Sequence, residues 1–515
     1  MKLVLITTDC VDIGARTISA YLKNKGYETK IISMSPPSNI SNFMYDNTNI
    51  KKYSSTALKN LLNLVKDSDV IGISSTGVST PKALQLIKAL KKLNKPIIWG
   101  GIFATTFPEF CIKHADIVCI GEGELALEEL LKKIELGKNY YKTKNFWFKK
   151  GNKIIKNPVR PLFADLDKLP NYDYSPRTNY VLEKNKTFKK LSQKHIGNWL
   201  FYRGIRGCPF SCTYCSNCLL KRLYKNKGIY IRKRSIKLVI QDLEQLKKQF
   251  PKLQWIWIIE DDINIRTIEE LKEFRELYRK KIKLPFEVYM TPATVNEEKL
   301  KLLLEAGLIK ISLGIQSASD RVNKEVYGRP ITKQQTLKAI QLINKYKEDI
   351  EPLIYEIIIN NPYETKEDIL QTINFLLEIP KPYCLYVYSL VFDPGMPLYY
   401  KALKNNLLNI KILGKDNINL SEVYSNFRIK KNNLYLNCIL YLMKGKSTQK
   451  KYGALPGFMI KYLLNPNLIN EIQKHHKLLL NIDKIYAFIS QNITFVKSKI
   501  LIQKAKILGQ IIAKN

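Results

Sequence analysis

The first 138 residues alternate short apolar runs with stretches of helical spacing, and this rhythm constrains the fold more than any other feature of the chain. Leu3–Thr7, Thr29–Met34, Val70–Ser74, Pro96–Trp99 and Ile117–Ile120 read as strands. A short apolar run bounded by turn formers fits a strand buried on both faces. Ala15, Ile18 and Leu22 recur at helical spacing before a stop at Gly26. Leu86, Leu90 and Leu93 form a second stripe behind Thr80-Pro81, expected as N-cap and first-turn proline. Parallel strands need crossover connections, usually helices, so the βαβα rhythm predicts a doubly wound parallel α/β sheet. Ligands on such sheets bind beyond the C-terminal strand ends. The loops there are Asp9–Gly14, Ser74–Thr80, Gly100–Thr106 and Gly121–Glu124. Most are small, Gly-rich or hydroxyl-rich, which lets a large flat ligand approach the backbone.

Residues 139–198 read as a connector. Phe146–Phe148 and Lys153–Ile155 flank Lys150-Gly151-Asn152, a hairpin signal, and Pro158, Pro161, Pro170 and Pro176 mark the rest as irregular. Alternation resumes over 199–400, with strands expected at Trp199–Tyr202, Trp255–Ile259, Phe286–Met290, Ile309–Leu313, Leu353–Ile359 and Leu385–Leu390. Helical stretches such as Ile236–Gln249 and Glu297–Glu305 lie between them. Six such units argue for a partial, TIM-like (β/α)6 barrel, whose site belongs at the C-terminal strand ends. Residues 401–515 read as a mostly helical C-terminal domain.

Straight after the first of these strands comes the run Arg206-Gly207-Cys208-Pro209-Phe210-Ser211-Cys212-Thr213-Tyr214-Cys215-Ser216-Asn217-Cys218. Its first three cysteines have the spacing C-x3-C-x2-C. Three thiolates hold three irons of a cubane and leave the fourth open to another ligand, whereas clusters usually take four. Gly207 and Pro209 suit the tight turn such a loop needs. Zinc is the rival, but a structural zinc site normally shows a second ligand pair, and His114, His195, His475 and His476 supply no matching pattern. Cys218 is either a fourth ligand or a bystander on the following helix, and the second reading is favoured.

Composition adds bounds. The 515 residues suggest two or three domains, and 45% hydrophobic content is ordinary for a globular chain. Met1–Thr7 reads as a first strand rather than a signal peptide, and no apolar run is long enough for a membrane span. Nine cysteines without an export signal point to a reducing cytoplasm. Lys plus Arg number 84 against 45 acidic residues, a net charge of +39. Such a charge attracts nucleic acid or anionic lipid, but the lysines are dispersed, which favours solvated surfaces over a nucleic-acid interface. The tail Phe495–Leu508 reads as a basic amphipathic helix, suited to peripheral contact with a membrane surface or to packing as a terminal helix.

Taken together, these residues resemble a known family. The Cys208–Cys215 loop, with Tyr214 before its last cysteine, resembles the signature of radical S-adenosylmethionine (radical SAM) enzymes. The N-terminal sheet, with Gly100-Gly101-Ile102-Phe103-Ala104-Thr105 and Gly121-Glu122-Gly123-Glu124, resembles the cobalamin-binding domain often fused before them. Glu260–Asn264 and Leu313–Ala318 fall where that group has acidic and Gly-rich barrel loops. The resemblance implies that Cys208, Cys212 and Cys215 ligate a 4Fe-4S cluster whose open iron takes S-adenosylmethionine. Reductive cleavage would then give a 5′-deoxyadenosyl radical. Tyr214, Gly314, Gln316 and Ser317 become candidate contacts to S-adenosylmethionine. Asp9, Val11, Gly14, Ser74, Ser75, Thr76, Gly100, Gly101, Ala104, Thr105, Gly121, Glu122, Gly123 and Glu124 become candidate contacts to cobalamin. Some cobalamin domains carry D-x-H-x-x-G after the first strand, and here Val11 replaces the histidine, so no imidazole from this loop reaches cobalt. Cys10, Cys111 and Cys119 could in number serve a second cluster, as in radical methylthiotransferases, but their surroundings match the cobalamin sheet. Cys384 and Cys438 read as structural thiols. The implied activity is cobalamin-dependent methyl transfer to an unreactive carbon, with an external one-electron reductant of flavodoxin or ferredoxin type. Radical cyclisation with the same cofactors and a non-catalytic cluster- or cobalamin-binding protein are the alternatives. The substrate class, whether small molecule, lipid or peptide, is not legible.

Overall fold

The computed structural model describes residues 1–8, 12–35, 52–408, 431–443 and 457–467. Asp9, Cys10, Val11 and the basic tail lie outside the described residues. The chain forms two compact units. The first holds residues 1–289, 301–308 and 391–426, and the second holds 290–300, 309–390 and 427–515.

In the first unit the expected strands appear as β1 (Lys2–Thr7), β2 (Glu28–Ser33), β3 (Val70–Ser74), β4 (Ile97–Gly100) and β5 (Ile117–Cys119). The helices among and after them are α1 (Ile13–Asn24), α2 (Ser55–Val65), α3 (Thr80–Leu90), α4 (Ile102–Thr106), α5 (Pro108–His114) and α6 (Glu124–Glu135). The five strands are parallel, in the order β5-β4-β3-β1-β2. Leu3, Leu5, Ile31, Val70, Ile98 and Ile117 bury one face against Leu22, Leu127, Leu130 and Leu131. Gly26 ends the first helical segment with φ +87°, as its place after the stripe predicts. Thr80 differs from expectation. It is the first residue inside α3, and Ser79 precedes it without a side-chain cap, because the Ser79 hydroxyl is engaged by Thr8 and Thr76.

The segment 139–198 contributes strands to both edges of this sheet. The expected hairpin is β6 (Phe146–Lys150) with β7 (Lys153–Lys156), and it pairs antiparallel with β5. A second hairpin, β8 (Asn179–Glu183) with β9 (Thr187–Lys190), was not expected and joins parallel to β2. Next, after a short helix α7 (Gln193–Ile196), come β10 (Trp199–Tyr202) and β11 (Ile205–Arg206). The cysteine loop leads into α8 (Ser216–Leu223), then β12 (Arg232–Lys233), α9 (Ile236–Gln249), β13 (Trp255–Ile258), α10 (Ile268–Lys281) and β14 (Phe286–Met290). β10, β13 and β14 are parallel neighbours, while β11 and β12 form a separate antiparallel pair.

Helix α11 (Glu297–Ala306) leads to β15 (Leu308–Gln316), which is longer than the expected Ile309–Leu313. Within the second unit β15 is parallel to β16 (Leu353–Ile359), and β16 to β17 (Tyr383–Ser389). Helices α12 (Lys333–Asn344) and α13 (Lys366–Glu378) both open with capping boxes, at Thr332 with Gln335 and at Thr365 with Asp368. In the first unit α14 (Pro397–Lys404) follows. Helix α15 (Lys431–Leu442) packs along α13, and α16 (Gly457–Leu463) is the last described element.

Candidate active site

The strand order places β1 beside β3, with β2 on one flank and β4 and β5 on the other. Crossovers run in opposite directions from that point, so a ligand crevice opens beyond Thr7 and Ser74. Two hydroxyl-rich turns meet there. The Thr8 hydroxyl lies 2.7 Å from Ser79 Oγ and donates to the Ser74 carbonyl at 3.2 Å. Ser79 Oγ also accepts from the Thr76 amide at 3.2 Å. Behind the turn after β1, the buried Asp12 carboxylate accepts from Arg16 Nε at 2.5 Å and from Ser33 Oγ at 3.0 Å. Gly14 is exposed, with open space where a Cβ would stand.

The neighbouring loops brace one another. Ser75 is buried and accepts from Trp99 Nε1 at 2.9 Å. Gly101 has φ +89°, and a Cβ there would stand 2.9 Å from both Ser74 Oγ and the Ser75 carbonyl, so only glycine fits. Thr105 Oγ1 donates to the Gly101 carbonyl at 3.0 Å and accepts from the Gly121 amide at 2.9 Å. Ala104 is fully buried.

The Gly121–Glu124 loop is committed to the segments around the cysteine run. Gly121 has φ +77°, and a Cβ there would collide with the Tyr224 hydroxyl, which accepts from the Glu122 amide at 2.8 Å. Glu122 Oε1 lies 3.1 Å from Arg206 Nη1 and 2.8 Å from Arg232 Nη2, and Glu122 Oε2 accepts from the Phe163 amide at 3.0 Å. Burial alone would raise the Glu122 carboxyl, but Arg206, Arg232 and the Phe163 amide together hold it below the ordinary range. The buried Glu124 meets Arg206 Nη2 at 2.5 Å. Both carboxylates, expected as cobalamin contacts, are thus spoken for by arginines, one of which directly precedes Gly207-Cys208.

Gly207 has φ +98°, and a Cβ there would stand 2.5 Å from the Tyr230 carbonyl, so the turn into the cysteine loop requires glycine. Cys215 N–H donates to the Cys212 carbonyl at 3.0 Å, and Cys218 N–H to the Cys215 carbonyl at 3.0 Å. Cys208, Cys212 and Cys215 are half-buried, whereas Cys218 is buried on α8. Burial pushes the Cys208 thiol up to about 12, opposed by the Phe210 amide and assisted by Asp261 and the neighbouring cysteines. The thiolate is the metal-binding form, so a cluster bound here would displace the thiol protons. Asn217 Nδ2 lies 3.8 Å from Cys215 Sγ and is oriented by Tyr230, whose hydroxyl donates to Asn217 Oδ1 at 2.8 Å. Beyond β13, Glu260 is buried and raised by that burial, with Arg266 and the Gly204 amide opposing. Asp261 meets Arg203 at 2.8 Å.

In the second unit, β15 ends in an irregularity between Gly314 and Gln316, and Gln316 has φ +66°. Arg329 holds this end by donating to the Gly314 carbonyl at 2.6 Å and the Ile315 carbonyl at 3.0 Å. Ser317 is buried, and its hydroxyl accepts from the Ser319 amide at 3.2 Å. Nearby, burial and the Asp368 charge push the Glu364 carboxyl up to about 8, against Arg321 and Ser317, and Glu364 Oε2 has no hydrogen-bond partner. No motif in the sequence singles out Glu364, because its perturbation comes from packing.

Two families match the chain. The B12 binding domain covers residues 3–131, and the radical SAM superfamily covers residues 202–376. The chain is a radical SAM enzyme with an N-terminal B12-binding domain. An uncharacterised methyltransferase of Pyrococcus horikoshii is 26% identical over 349 residues, covering 66% of this chain and 71% of the relative. The anaerobic magnesium-protoporphyrin IX monomethyl ester cyclase of Rubrivivax gelatinosus is 26% identical over 292 residues, covering 53% of this chain and 48% of the relative. Among solved structures, the radical SAM methyltransferase TsrM of Kitasatospora setae, with cobalamin and a 4Fe-4S cluster bound, superposes with TM-score 0.60 at 16% identity, covering 78% of each chain.

The residues of this radical SAM enzyme fit those cofactors. Three thiolates of a cubane bind three different irons and need not converge on one point. Among the described residues no group of three His, Cys, Asp or Glu gathers around a single-ion position. Beyond β1 and β3, the crevice is lined by small and hydroxyl side chains that a corrin could approach. Cys111 on α5 and Cys119 on β5 are buried thiols raised by that burial, in keeping with a structural role in the first unit's core. Cys384 is buried too, while Cys438 is half-buried. Of the expected site residues, the structure gathers Ser74–Thr76, Gly100, Gly101, Ala104, Thr105 and Gly121–Glu124 beyond the C-terminal ends of β3, β4 and β5, and Tyr214 lies within the cysteine loop.

Proposed function

We propose that this radical SAM enzyme is a cobalamin-dependent methyltransferase acting on an unreactive carbon. The observation that carries this reading is the joining of the B12-binding edge to the cysteine loop through Glu122, Glu124 and Arg206 within one compact unit. Two cofactors that exchange a substrate between them must be held at a fixed spacing, and an ion-pair network supplies that stiffness. The methyltransferase relative supports the same reading. When bound, the reduced cluster supplies the electron that cleaves S-adenosylmethionine, and cobalamin supplies the methyl group.

The chain's own residues bind, orient and shield. Cys208, Cys212 and Cys215 hold the cluster, and Gly207 and Asn217 shape the turn around them. Tyr214, Gly314, Gln316 and Ser317 serve S-adenosylmethionine, with Arg329 fixing the strand end that carries them. Asp9, Val11, Gly14, Ser74, Thr76, Gly100 and Gly101 serve cobalamin, with the buried Ser75, Ala104 and Thr105 bracing their loops from behind. Position 11, where some cobalamin domains carry a histidine, is valine and so would offer no imidazole to the cofactor. Electrons come from an external reductant of flavodoxin or ferredoxin type, and the thiol-rich site belongs in a reducing cytoplasm. None of the described helices is long and apolar enough to cross a membrane.

The test uses S-adenosylmethionine carrying a trideuterated methyl group, offered with candidate substrates to the reconstituted enzyme. A product heavier by the labelled methyl supports the reading. The cyclase relative favours a second reading with the same cofactors. Deoxyadenosine formation with a cyclised, unlabelled product would select it over methylation.

A further inference from the structure

The segment after β17 returns to the first unit and threads between the parts that would carry the two cofactors. Gly395 is buried where a Cβ would stand 2.8 Å from the Thr106 carbonyl, at the end of α4. Arg222 on α8 donates to the Gly395 carbonyl at 2.8 Å, and the Leu398 amide donates to the Thr213 carbonyl of the cysteine loop at 3.1 Å. This segment is therefore pinned to the B12-binding edge on one side and to the cysteine loop on the other.

From it, Asp393 faces the turn after β3. Its Oδ1 stands 3.3 Å from where a Cβ on Gly77 would be, beside the crevice between β1 and β3. The Asp393 side chain makes no hydrogen bond or ion pair among the described residues. Burial, with nothing to offset it, raises this carboxyl to about 6. A carboxylate left without a partner beside a ligand crevice is costly to the fold, and such groups cluster at functional sites. Gly77 keeps the acid clear of the turn, since a Cβ there would press on Asp393 Oδ1 at 3.3 Å while only touching Phe103 Cδ2 at 3.6 Å.

We propose that the Asp393 carboxylate is a cobalamin-binding residue, accepting a hydrogen bond from a peripheral carboxamide N–H of the corrin. This rests on the reading that cobalamin occupies the crevice between β1 and β3. Corrin rims carry neutral carboxamides, and a carboxylate acceptor makes the stronger, charge-assisted kind of bond with them. Asp393 thereby holds the corrin rim from the 391–398 segment while the Thr8, Thr76 and Ser79 turn supports it from the sheet.

The experiment is equilibrium dialysis of hydroxocobalamin against the anaerobically reconstituted full chain, comparing wild type with Asp393→Asn and Asp393→Leu. Circular dichroism confirms that both variants fold. The expected result is a loss of affinity of about tenfold or more in Asp393→Leu and a smaller loss in the isosteric Asp393→Asn. Cobalamin monocarboxylates, with one carboxamide hydrolysed, give a second readout. Wild type should discriminate against the isomer whose carboxylate meets Asp393, and Asp393→Asn should narrow that gap. Variants that bind like wild type, with no change in discrimination, overturn the assignment of Asp393 alone. Wild type that retains no cobalamin overturns the reading beneath it as well.

Discussion

Removing the Arg206 guanidinium should loosen the first unit by a calculable amount. Arg206 Nη2 stands 2.5 Å from Glu124 Oε1, and Arg206 Nη1 stands 3.1 Å from Glu122 Oε1. The Glu124 side chain is 4% exposed and that of Arg206 is 24% exposed. Arg206→Met strands Glu124 as a buried charge, while Glu122 keeps Arg232. Breaking a buried pair by deleting one partner costs about 3–5 kcal/mol. The partial exposure of Arg206 moves the expectation to the lower end, about 2–3 kcal/mol. Glu124→Gln removes the stranded charge, so the double variant should recover part of the loss. The coupling from the full cycle should be about 1.5–3 kcal/mol. All five tryptophans, Trp99, Trp147, Trp199, Trp255 and Trp257, lie in the first unit, so tryptophan fluorescence during urea unfolding reports that unit selectively. A coupling indistinguishable from zero, or an Arg206→Met midpoint equal to wild type, would refute the argument that this ion pair braces the loop.

Three further outcomes follow from the geometry. Asp393→Asn should stabilise the cobalamin-free protein at neutral pH by about 2 kcal/mol while weakening cobalamin binding. The folded carboxyl is raised to about 6, so between its unfolded value of roughly 4 and that value the folded state binds more protons. Stability should therefore fall as pH rises across this window in wild type, and the fall should be absent in Asp393→Asn thermal melts. Gly121→Ala forces a side chain onto a backbone at φ +77° and into the Tyr224 hydroxyl, and should cost about 3 kcal/mol or more, against about 1 kcal/mol for Tyr224→Phe. Cys212→Ala should abolish the cluster's visible absorbance after reconstitution, while Cys218→Ala, on the buried face of α8, should keep it and lose only about 1–2 kcal/mol of stability.

What the sequence made legible follows the strength of its periodic signals. Val70–Ser74, Trp199–Tyr202, Phe286–Met290 and Leu353–Ile359 are strands with the expected bounds, because each is a run rich in β-branched or aromatic residues cut by turn formers. The hairpin β8–β9 escaped notice for the opposite reason. Thr187–Lys190 is short, polar and mostly exposed, and its turn uses Lys184 and Asn185 at positive φ where a glycine would have signalled it. The cysteine loop was legible because its spacing is local. The ion pairs of Glu122 and Glu124 were not legible, because their partners Arg206 and Arg232 lie far along the chain and only folding brings them together. Asp393 and Glu364 belong to no motif. Glu364 is buried and Asp393 half-buried, each without full compensation, a property of the packed chain.

The most direct test of the central claim is a pair of readings on anaerobically reconstituted protein supplied with hydroxocobalamin, S-adenosylmethionine and a reductant. The visible spectrum after desalting reports retained cobalamin, and chromatography reports 5′-deoxyadenosine. A cobalamin-dependent radical enzyme should retain cobalamin and form deoxyadenosine that disappears in Cys212→Ala. Protein that carries a full cluster yet retains no cobalamin and forms no deoxyadenosine would contradict the account.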